Sequence, residues 1–200
     1  MIRAVRNFMN LPSLAKVSLV SLLSLGWILV APSIAGAQPA TTQPAPSEEY
    51  QIKAAYILNF VQYIDWPQAT FSAADTPFTI GVLGDDPFGP ALEQTFQDET
   101  IAGRKLVVKR STKIEDLQSC HLLFISKSEK DHIPEILASL KDKSIVTVSE
   151  LDQFAQRGGI VNFYLNNNKI RFEINANAAE KISLKIHSQL LKRAKIVNSD

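Results

Sequence analysis

The chain has 200 residues, of which 46% are hydrophobic and 20% are charged, and its formal net charge is +1 at pH 7. This length predicts one globular domain, large enough to bury roughly 70% of its unfolded surface without disulfide or metal staples. The near-neutral charge argues against a general nucleic-acid-binding protein, which would carry a strongly basic face.

The first 37 residues have the features of a secretory signal peptide. They begin with three basic residues and no acidic one, continue with an apolar run over residues 17–31, and end in Ala-Gly-Ala. As a helix the apolar run spans about 22 Å, short of the ~30 Å hydrocarbon core, which favours a cleaved signal over an uncleaved anchor. We therefore predict cleavage after Ala37 and a secreted protein. The mature chain keeps 18 basic and 20 acidic residues, a net charge of −2.

Cys120 is the single cysteine of the sequence. One cysteine cannot close a disulfide within the chain. In an oxidising compartment it is either buried and inert or available for a redox-sensitive bond between two chains.

The mature chain begins with a flexible linker and then a helix. Residues 38–47 include three prolines and no large apolar residue, which is typical of a linker. Ser47 can cap the following helix, which is predicted to run to Ile64 and to end before Pro67, because proline disfavours helical geometry in the preceding residue.

The middle of the chain alternates between predicted strands and helices. In chain order the predicted elements are a strand over 78–83, a helix over 91–96, strands over 104–109 and 122–125, a helix over 131–140, a strand over 144–148 and one helical turn over 151–156. This rhythm predicts an α/β fold. We expect a single-domain, three-layer sandwich in which a mixed, mostly parallel sheet has helices on both faces.

The last forty or so residues predict a hairpin followed by a helix. Ile160–Leu165 and Lys169–Ile174 are predicted strands, and the three asparagines between them predict a turn. A helix capped by Asn175 or Asn177 is predicted to continue to about Val197. It completes a domain over residues 48–197.

That helix would be apolar on two sides. Leu184 and Leu191 are seven residues apart, and His187 borders them on the side opposite the core-facing stripe. A helix that is apolar on two sides must bury both. We interpret this second stripe as a subunit or partner interface, and a helix sandwiched inside one domain is the alternative.

Motifs of catalysis or metal binding are weak or missing in this sequence. Neither GxGxxG nor GxSxG is present, and His121, His132 and His187 have no partner at metal-ligand spacing. Asp85 and Asp86 follow a predicted strand, where α/β proteins often place ligand residues, although one of them could cap the next helix. We therefore predict a protein that is not an enzyme and that has no metal and no cofactor; a hydrolase using these aspartates is the minor alternative.

Four polar residues are candidates for a small-ligand or partner site. Arg171 and Glu173 share one face of a predicted strand, His187 lies on the predicted helix, and Arg104 begins an earlier strand. Arginine binds carboxylates and phosphates well because its planar guanidinium donates two parallel hydrogen bonds. A periplasmic protein that binds an anion, a nucleotide or an amino acid is the alternative function. A solvated face without a ligand is the simpler interpretation.

Several segments resemble the YfiR family in order and spacing. They are YQIKAAYILNFVQYIDWP, FTIGVLGDDPFG, IAGRKLVVKR, CHLLFIS, IVTVSE and FAQRGGIVNFYLNNNKIRFEINANAAEKISLKIHSQLLKRAKIV, which together cover about Tyr50 to Val197. The resemblance implies a periplasmic, non-catalytic α/β protein that is usually a homodimer. It further implies repression of an inner-membrane diguanylate cyclase through the cyclase's periplasmic region, less cyclic-di-GMP and less biofilm, with relief by an outer-membrane lipoprotein. Family members also use pairs of cysteines for redox control. This is not expected here, because Cys120 has no second cysteine in the chain to pair with.

Overall fold

The fold is a mixed β-sheet with helices on both faces, as the sequence predicts. The computed structural model describes residues 47–199, which belong to one compact unit. The strands are β1 Ile64–Asp65, β2 Phe78–Leu83, β3 Thr100–Ile101, β4 Arg104–Ser111, β5 Leu122–Ile125, β6 Val146–Ser149, β7 Val161–Asn166, β8 Lys169–Asn175, β9 Lys185–Ile186 and β10 Lys195–Val197. The α-helices are α1 Glu48–Gln62, α2 Ala91–Phe96, α3 Ile133–Ser139, α4 Ala176–Lys181 and α5 Ser188–Leu191. Three 3₁₀ helices cover Gln68–Thr70, Ile114–Leu117 and Lys127–His132.

The predicted signal peptide and all of the predicted linker except Ser47 lie outside the described residues. Within residues 47–199, none of the helices has the length and apolar character needed to cross a bilayer.

The main sheet has the strand order β10-β8-β7-β6-β5-β2-β4-β3. The five strands from β7 to β4 in this order are parallel neighbours, β8 runs antiparallel to β7, and β10 lies parallel beside β8. The prediction of a mixed, mostly parallel sheet is confirmed. A second, two-stranded sheet, which the sequence did not indicate, pairs β1 with β9.

The sheet separates two hydrophobic clusters. The larger one lies under α1, α2 and α5 and includes Phe60, Phe124 and Phe163. The smaller one lies under α3 and includes Leu123 and Ile136. The central strands are buried on both faces, and this explains why they appear in the sequence as continuous apolar runs.

The middle elements match the prediction in type and nearly in extent, with two exceptions. The predicted helix over 131–140 is a 3₁₀ helix followed by α3, and Pro134 is tolerated there in the first turn of α3. The helical turn predicted over 151–156 is wrong, since these residues form a bend and turns. Their apolar side chains, led by the buried Phe154, fill the smaller cluster. Backbone hydrogen bonds from Phe154 to Leu151 and from Arg157 to Gln153 form turns there, and no continuous helix results.

The prediction of one helix from Asn175 to Val197 is wrong. Asn175 does cap α4, since its Oδ1 accepts a hydrogen bond from the Ala178 N–H at 3.0 Å. The helix ends at Lys181, however, and Ser183 adopts a left-handed φ of 63°. Two short strands, β9 and β10, then find partners in β1 and β8, so tertiary pairing overrides the local helical pattern.

The hairpin turn is tighter than predicted. Asn166 pairs with Lys169 in the ladder, so only Asn167 and Asn168 form the loop. Their φ angles of 50° and 56° are both left-handed, as a type I′ turn requires. Because β6 pairs only with Val161 and Asn162 of β7, the rest of the hairpin extends beyond the carboxyl end of β6.

Candidate functional site

The structure separates Arg104 from the other polar candidates for a site. Arg171 and Glu173 lie on β8, whereas Arg104 lies on β4, with four strands between them in the sheet order. His187 precedes α5, and its Nε2 lies 2.9 Å from Asp65 Oδ2. Arg104 therefore cannot share a site with Arg171 and Glu173, and a ligand site at Arg171 and His187 remains a prediction.

Arg104 holds a loop in place. Its guanidinium donates to the backbone oxygens of Ala73 at 2.9 Å and Thr76 at 2.8 Å. It also lies 4.1 Å from the centre of the Phe71 ring, a cation–π distance. A buried arginine with these partners stabilises the segment between Pro67 and β2.

Glu173 and Arg171 differ although they share one face of β8. Glu173 is buried and accepts hydrogen bonds at 3.3 Å from Asn162 Nδ2 and Lys195 Nζ. The side chain of Arg171 is exposed and has no hydrogen bond or ion pair with another residue of the described range. A ligand-binding role for Arg171 remains a prediction. The carboxylate of Glu173 is already paired with Asn162 and Lys195.

The apolar stripe assigned to Leu184 and Leu191 does not exist as an exposed surface. Leu184 is 2% exposed and belongs to the larger hydrophobic cluster, and Leu191 is half-buried against the same cluster. The argument for a partner interface at Leu184, His187 and Leu191 depended on a continuous helix, and it fails with that helix.

Cys120 lies in the smaller hydrophobic cluster as a free thiol. Burial raises the pKa of this thiol to about 11, which keeps it protonated at neutral pH. Since the thiolate is the reactive form, Cys120 is chemically quiet in the folded chain.

Asp86 stabilises a turn ahead of α2 and does not cap that helix, which begins at Ala91 after Pro90 without a side-chain cap. Its Oδ1 accepts from the Phe88 N–H at 2.8 Å, and its Oδ2 accepts from Arg110 Nε at 2.7 Å. Both oxygens are thus used by the fold. Within residues 47–199, no group of three or more His, Cys, Asp or Glu residues is arranged to hold a metal ion.

The crevice where α/β proteins usually bind ligands is filled by side chains of this chain. The order of the parallel strands reverses between β2 and β5, and a ligand would enter between the loops that follow them. A Cβ added to Gly84 would lie 2.5 Å from Ser126 Oγ and 2.6 Å from Glu129 Oε1. Ser128 Oγ is closer still, and it accepts a hydrogen bond from the Asp85 N–H at 3.0 Å.

A buried charged cluster lies beside that crevice at the end of β6, and sequence reasoning missed it. Lys53 pairs with both Glu49 and Glu150, and the Tyr50 hydroxyl donates to Glu150 Oε1 at 2.8 Å. Lys127 adds a cation 3.5 Å from the same oxygen. The available signals were a lysine within the apolar pattern of α1 and a glutamate directly after a buried strand.

The electrostatics of this cluster favour its charged form. Burial alone would raise the pKa of Glu150, but the hydrogen bonds from Lys53 and Tyr50 and the charge of Lys53 outweigh burial and lower it. Burial, together with the hydrogen bond to Glu150, raises the pKa of Tyr50. Tyr50 therefore stays neutral and Glu150 stays ionised, which suits an ion pair and does not suit a general acid or base at neutral pH.

His121 occupies a similarly closed position at the opposite edge of the sheet. Its ring stacks between Phe71 and Phe78 at centroid distances of 4.6 Å and 4.7 Å. The Thr79 N–H donates to Nδ1 at 3.0 Å, so the neutral ring carries its proton on Nε2. Nε2 is buried and has no hydrogen-bond partner among the described residues. Burial lowers the pKa of His121, and the nearby charge of Arg104 adds to this effect.

What we call the hairpin patch consists of two exposed aliphatic side chains, Ile52 and Leu165, and the half-buried Ile170. Leu165 is 62% exposed and pairs with the half-buried Ile170 next to the hairpin turn. Ile52 is 42% exposed and lies one helical turn before Tyr56, whose ring packs against Phe172. Since α1 begins at the carboxyl edge of the sheet, Ile52 lies on the side of Tyr56 towards the hairpin turn.

Comparison with known proteins identifies a family. The sequence profile of the family DUF4154, described as YfiR/HmsC-like, matches residues 50–195. No curated protein matches the chain. Among solved structures, a conserved domain protein from Vibrio cholerae O1 biovar eltor is similar at 14% identity and a TM-score of 0.49, over 74% of this chain and 59% of its own length. The ABC domain in complex with L-Trp from Streptococcus pneumonia is similar at 12% identity and a TM-score of 0.44, over 60% of this chain and 55% of its own length.

Proposed function

Because the chain belongs to the YfiR/HmsC-like family of periplasmic regulators of cyclic-di-GMP signalling, we propose that it represses an inner-membrane diguanylate cyclase. In this proposal residues 1–37 are a signal peptide cleaved after Ala37, and residues 38–47 form a linker ahead of the domain over 48–197. The mature protein then binds the periplasmic region of the cyclase. The bound cyclase makes less cyclic-di-GMP, and biofilm formation falls.

The hairpin patch is the observation that carries this proposal. Leu165 lies at the end of a hairpin that extends past its neighbouring strand, so a partner can reach it without any change in the fold. Covering apolar surface with a partner is favourable by about 25 cal/mol per Å². An interface core of aliphatic residues surrounded by polar ones is typical of protein–protein contacts.

The closed carboxyl edge also supports binding over catalysis. Asp86 and Glu150, the carboxylates nearest the usual ligand crevice, are engaged by Arg110 and Lys53. A catalytic acid or base would need a free position beside a substrate and a pKa near the working pH. The family is regulatory, and these internal pairs fit that role.

We further propose that the protein is a homodimer and that an outer-membrane lipoprotein relieves repression by competing for the same face. The fold limits how two subunits can join, because Cys120 is buried and an intersubunit disulfide would require local unfolding. A noncovalent dimer is therefore expected, and its mass should be unchanged by reducing agents.

Capture from inner membranes tests the proposal. We expect mature protein to retain a membrane protein with a diguanylate cyclase domain, and the Leu165→Asp/Ile170→Asp variant to lose it. In cells, the same variant should raise cyclic-di-GMP to the level of a deletion strain. Ile170 packs against the larger cluster, so thermal unfolding must confirm that the double variant is folded. Leu165→Asp alone changes only a mostly exposed side chain and should also weaken capture.

A matched control is Val107→Asp, which introduces the same charge at an exposed aliphatic residue on the far side of the sheet. The control should capture the cyclase normally and keep cyclic-di-GMP low. Equal capture by the hairpin variant and the control would contradict the proposed surface. Mature protein that retains no cyclase at all would contradict the proposed function.

Binding of a small anion is a second candidate function, favoured by the uncommitted guanidinium of Arg171. A thermal-shift screen with nucleotides, amino acids and inorganic phosphate tests it directly. If this function is correct, one of these ligands should stabilise the mature protein, and Arg171→Ala should remove the shift. An undiminished shift in that variant would place the ligand elsewhere.

A further inference from the structure

A cavity of about 370 Å³ lies at the amino ends of β2, β5 and β6, which are neighbours in the sheet. Its walls come from the segment between β1 and β2 and from the residues that lead into β5 and β6. Its floor consists of the buried Cys120, His121 and Ile145, whereas the other residues that line it are half-buried or exposed. A cavity of this volume can hold a small molecule.

Polar side chains without partners converge on this cavity. Five of the side chains that line it form no hydrogen bond or ion pair with any other residue between 47 and 199: Thr70, Thr79, Gln118, Ser119 and Lys143. All of them except Ser119 are half-buried, and polar groups that are shielded from water usually have a hydrogen-bond partner in a folded protein. Together they offer hydroxyl, amide and ammonium groups to a ligand.

His121 adds a hydrogen-bond donor at the floor of the cavity. Phe71 and Phe78 cover the two faces of its ring, and its Nδ1 accepts from the Thr79 N–H. The backbone N–H and the backbone oxygen of His121 are hydrogen-bonded as well. The ring edge that carries the Nε2–H is therefore the part of His121 left for the cavity. This buried Nε2 has no partner in the described part of the chain.

The charges around the cavity identify the class of ligand. Among the described residues that line it, Lys143 is the only one with a full charge, and none is an aspartate or a glutamate. A neutral sugar would leave Lys143 without a partner, and the ammonium group of an amino acid would find no carboxylate. A phosphate ester carries close to two negative charges at pH 7, of which one lysine balances only one. A ligand with one carboxylate and several hydroxyls therefore matches this lining best.

We propose that this cavity binds a small hydroxylated monocarboxylate, that is, a sugar acid. The ligand carboxylate accepts a charge-assisted hydrogen bond from Lys143 Nζ. A ligand oxygen accepts from the Nε2–H of His121, and the ligand hydroxyls bond to Gln118 and to the neighbouring serine and threonine hydroxyls. This inference is independent of the proposed function, because the cavity lies at the amino ends of the strands and the hairpin patch extends beyond the carboxyl end of β6.

Titration calorimetry of the mature chain, residues 38–200, tests the inference. The probes are D-glucuronate, D-galacturonate and D-gluconate, and we expect saturable binding of at least one of them. D-Glucose keeps the ring of D-glucuronate but lacks its carboxylate, and acetate keeps a carboxylate but lacks the hydroxyls. Each of these two controls should bind about tenfold more weakly or less, because it loses one half of the hydrogen bonds that the cavity offers.

Matched variants and a second readout place the ligand in this cavity. Lys143→Met removes the ammonium group and should weaken binding of the sugar acid about tenfold. Lys141→Met makes the same change in net charge at an exposed residue outside the cavity, and it should bind normally. Arg171→Ala should also bind normally, which separates this site from the second candidate function. In nitrogen NMR spectra, the bound ligand should shift the Nε2 signal of His121 and slow the exchange of its proton with water.

Several results would overturn the inference. If none of the three sugar acids binds saturably, or if D-glucose binds as tightly as D-glucuronate, the class of ligand is wrong. An equal loss of affinity in Lys143→Met and Lys141→Met would reduce the effect to net charge. A loss in Arg171→Ala, or an unchanged His121 signal at saturation, would place the ligand elsewhere. None of these results changes the expected capture of the cyclase, so the inference and the proposed function can fail separately.

Discussion

The loops that follow the central strands use their side chains differently from the protruding hairpin and the outer strand β4. At the carboxyl edge, Glu150 and Asp86 are paired with Lys53 and Arg110, and Gly84 is surrounded by serine hydroxyls. Leu165, on the part of the hairpin that extends beyond the end of β6, and Val107 on β4 remain exposed. In most α/β proteins the carboxyl edge is the functional one. Here the polar residues that follow the central strands stabilise the fold, and the exposed aliphatic residues lie on the hairpin and on β4.

The largest expected effect comes from breaking the buried pair at the carboxyl edge. Glu150→Ala leaves buried Lys53 with only the more exposed Glu49 as a partner, and it removes the acceptor of the Tyr50 hydroxyl. Breaking a buried ion pair costs about 3–5 kcal/mol of the free energy of unfolding. Urea unfolding of the mature protein measures this loss.

The double variant Lys53→Met/Glu150→Leu serves as the control for that prediction. It removes both charges together, so it should recover more than half of the loss. If Glu150→Ala unfolds like the native protein, the cluster is not structural, and Glu150 becomes available for function.

The next largest effect is the difference in the free energy of unfolding lost when a buried leucine and an exposed leucine are each replaced by alanine. Leu184→Ala should cost about 3 kcal/mol, because it leaves a cavity in the larger cluster. Leu165→Ala should change stability by less than about 0.5 kcal/mol, as exposed substitutions usually do. Equal costs in denaturant unfolding would contradict the assignment of Leu165, and not Leu184, to the binding surface.

Glycine substitutions test how tightly the crevice is closed. Gly84→Ala and Gly103→Ala both place alanine at a left-handed φ, 84° and 77° respectively, at a conformational cost of about 1–2 kcal/mol each. A Cβ at Gly103 meets nothing within 4 Å, whereas one at Gly84 is crowded by Ser126, Ser128 and Glu129. Gly84→Ala should therefore be less stable than Gly103→Ala by about 1–3 kcal/mol. Melting curves that coincide would show room for a ligand at this position.

The smallest effect is a pH dependence from His121. Because its pKa is lowered in the folded state, the unfolded chain binds a proton below about pH 6.5 that the folded chain does not. Stability therefore falls as the pH drops from 7 to 5, by at most about 1.4 kcal/mol per pH unit. His121→Asn keeps an acceptor for the Thr79 N–H and cannot titrate, so its stability should change less over this range.

A second acid effect comes from Glu150 and has its own pH window. Its lowered pKa contributes stability that is present above the unfolded value of about 4.5 and is lost as the pH falls through the folded value. Denaturant unfolding of Glu150→Ala from pH 5 to pH 3 should lack this decline. A decline equal to that of the native protein would assign the acid sensitivity to another carboxylate.

The sequence predicted the strands and helices whose hydrophobic pattern agrees with their final environment. The strand Phe78–Leu83 and the helix Ala91–Phe96 have the predicted bounds. The strand is a continuous apolar run and the helix is a short amphipathic segment, and each pattern fits only one type of element. The stretch after Asn175 failed because its residues have helical spacing, while its partners, β1 and β8, are distant in sequence. Local pattern cannot report such pairing.

The candidate site was harder to predict than the fold, because pairs distant in sequence decide it. Lys53 and Glu150 are 97 residues apart, and neither residue has a motif around it. Arg104 and His187 were singled out as polar residues near apolar ones, yet each is engaged by its own neighbours, the Ala73 backbone and Asp65. Side-chain identity indicates which chemistry is available, but only the folded contacts show which groups are left free.

A hydrogen-exchange footprint of the bound state tests the central claim most directly. Mature protein would be compared with and without inner-membrane vesicles that contain the captured cyclase. The account predicts slower exchange across residues 163–172 of the hairpin, with no change in the carboxyl-edge loops at residues 84–88 and 126–129. Slower exchange in those loops with an unchanged hairpin would contradict it.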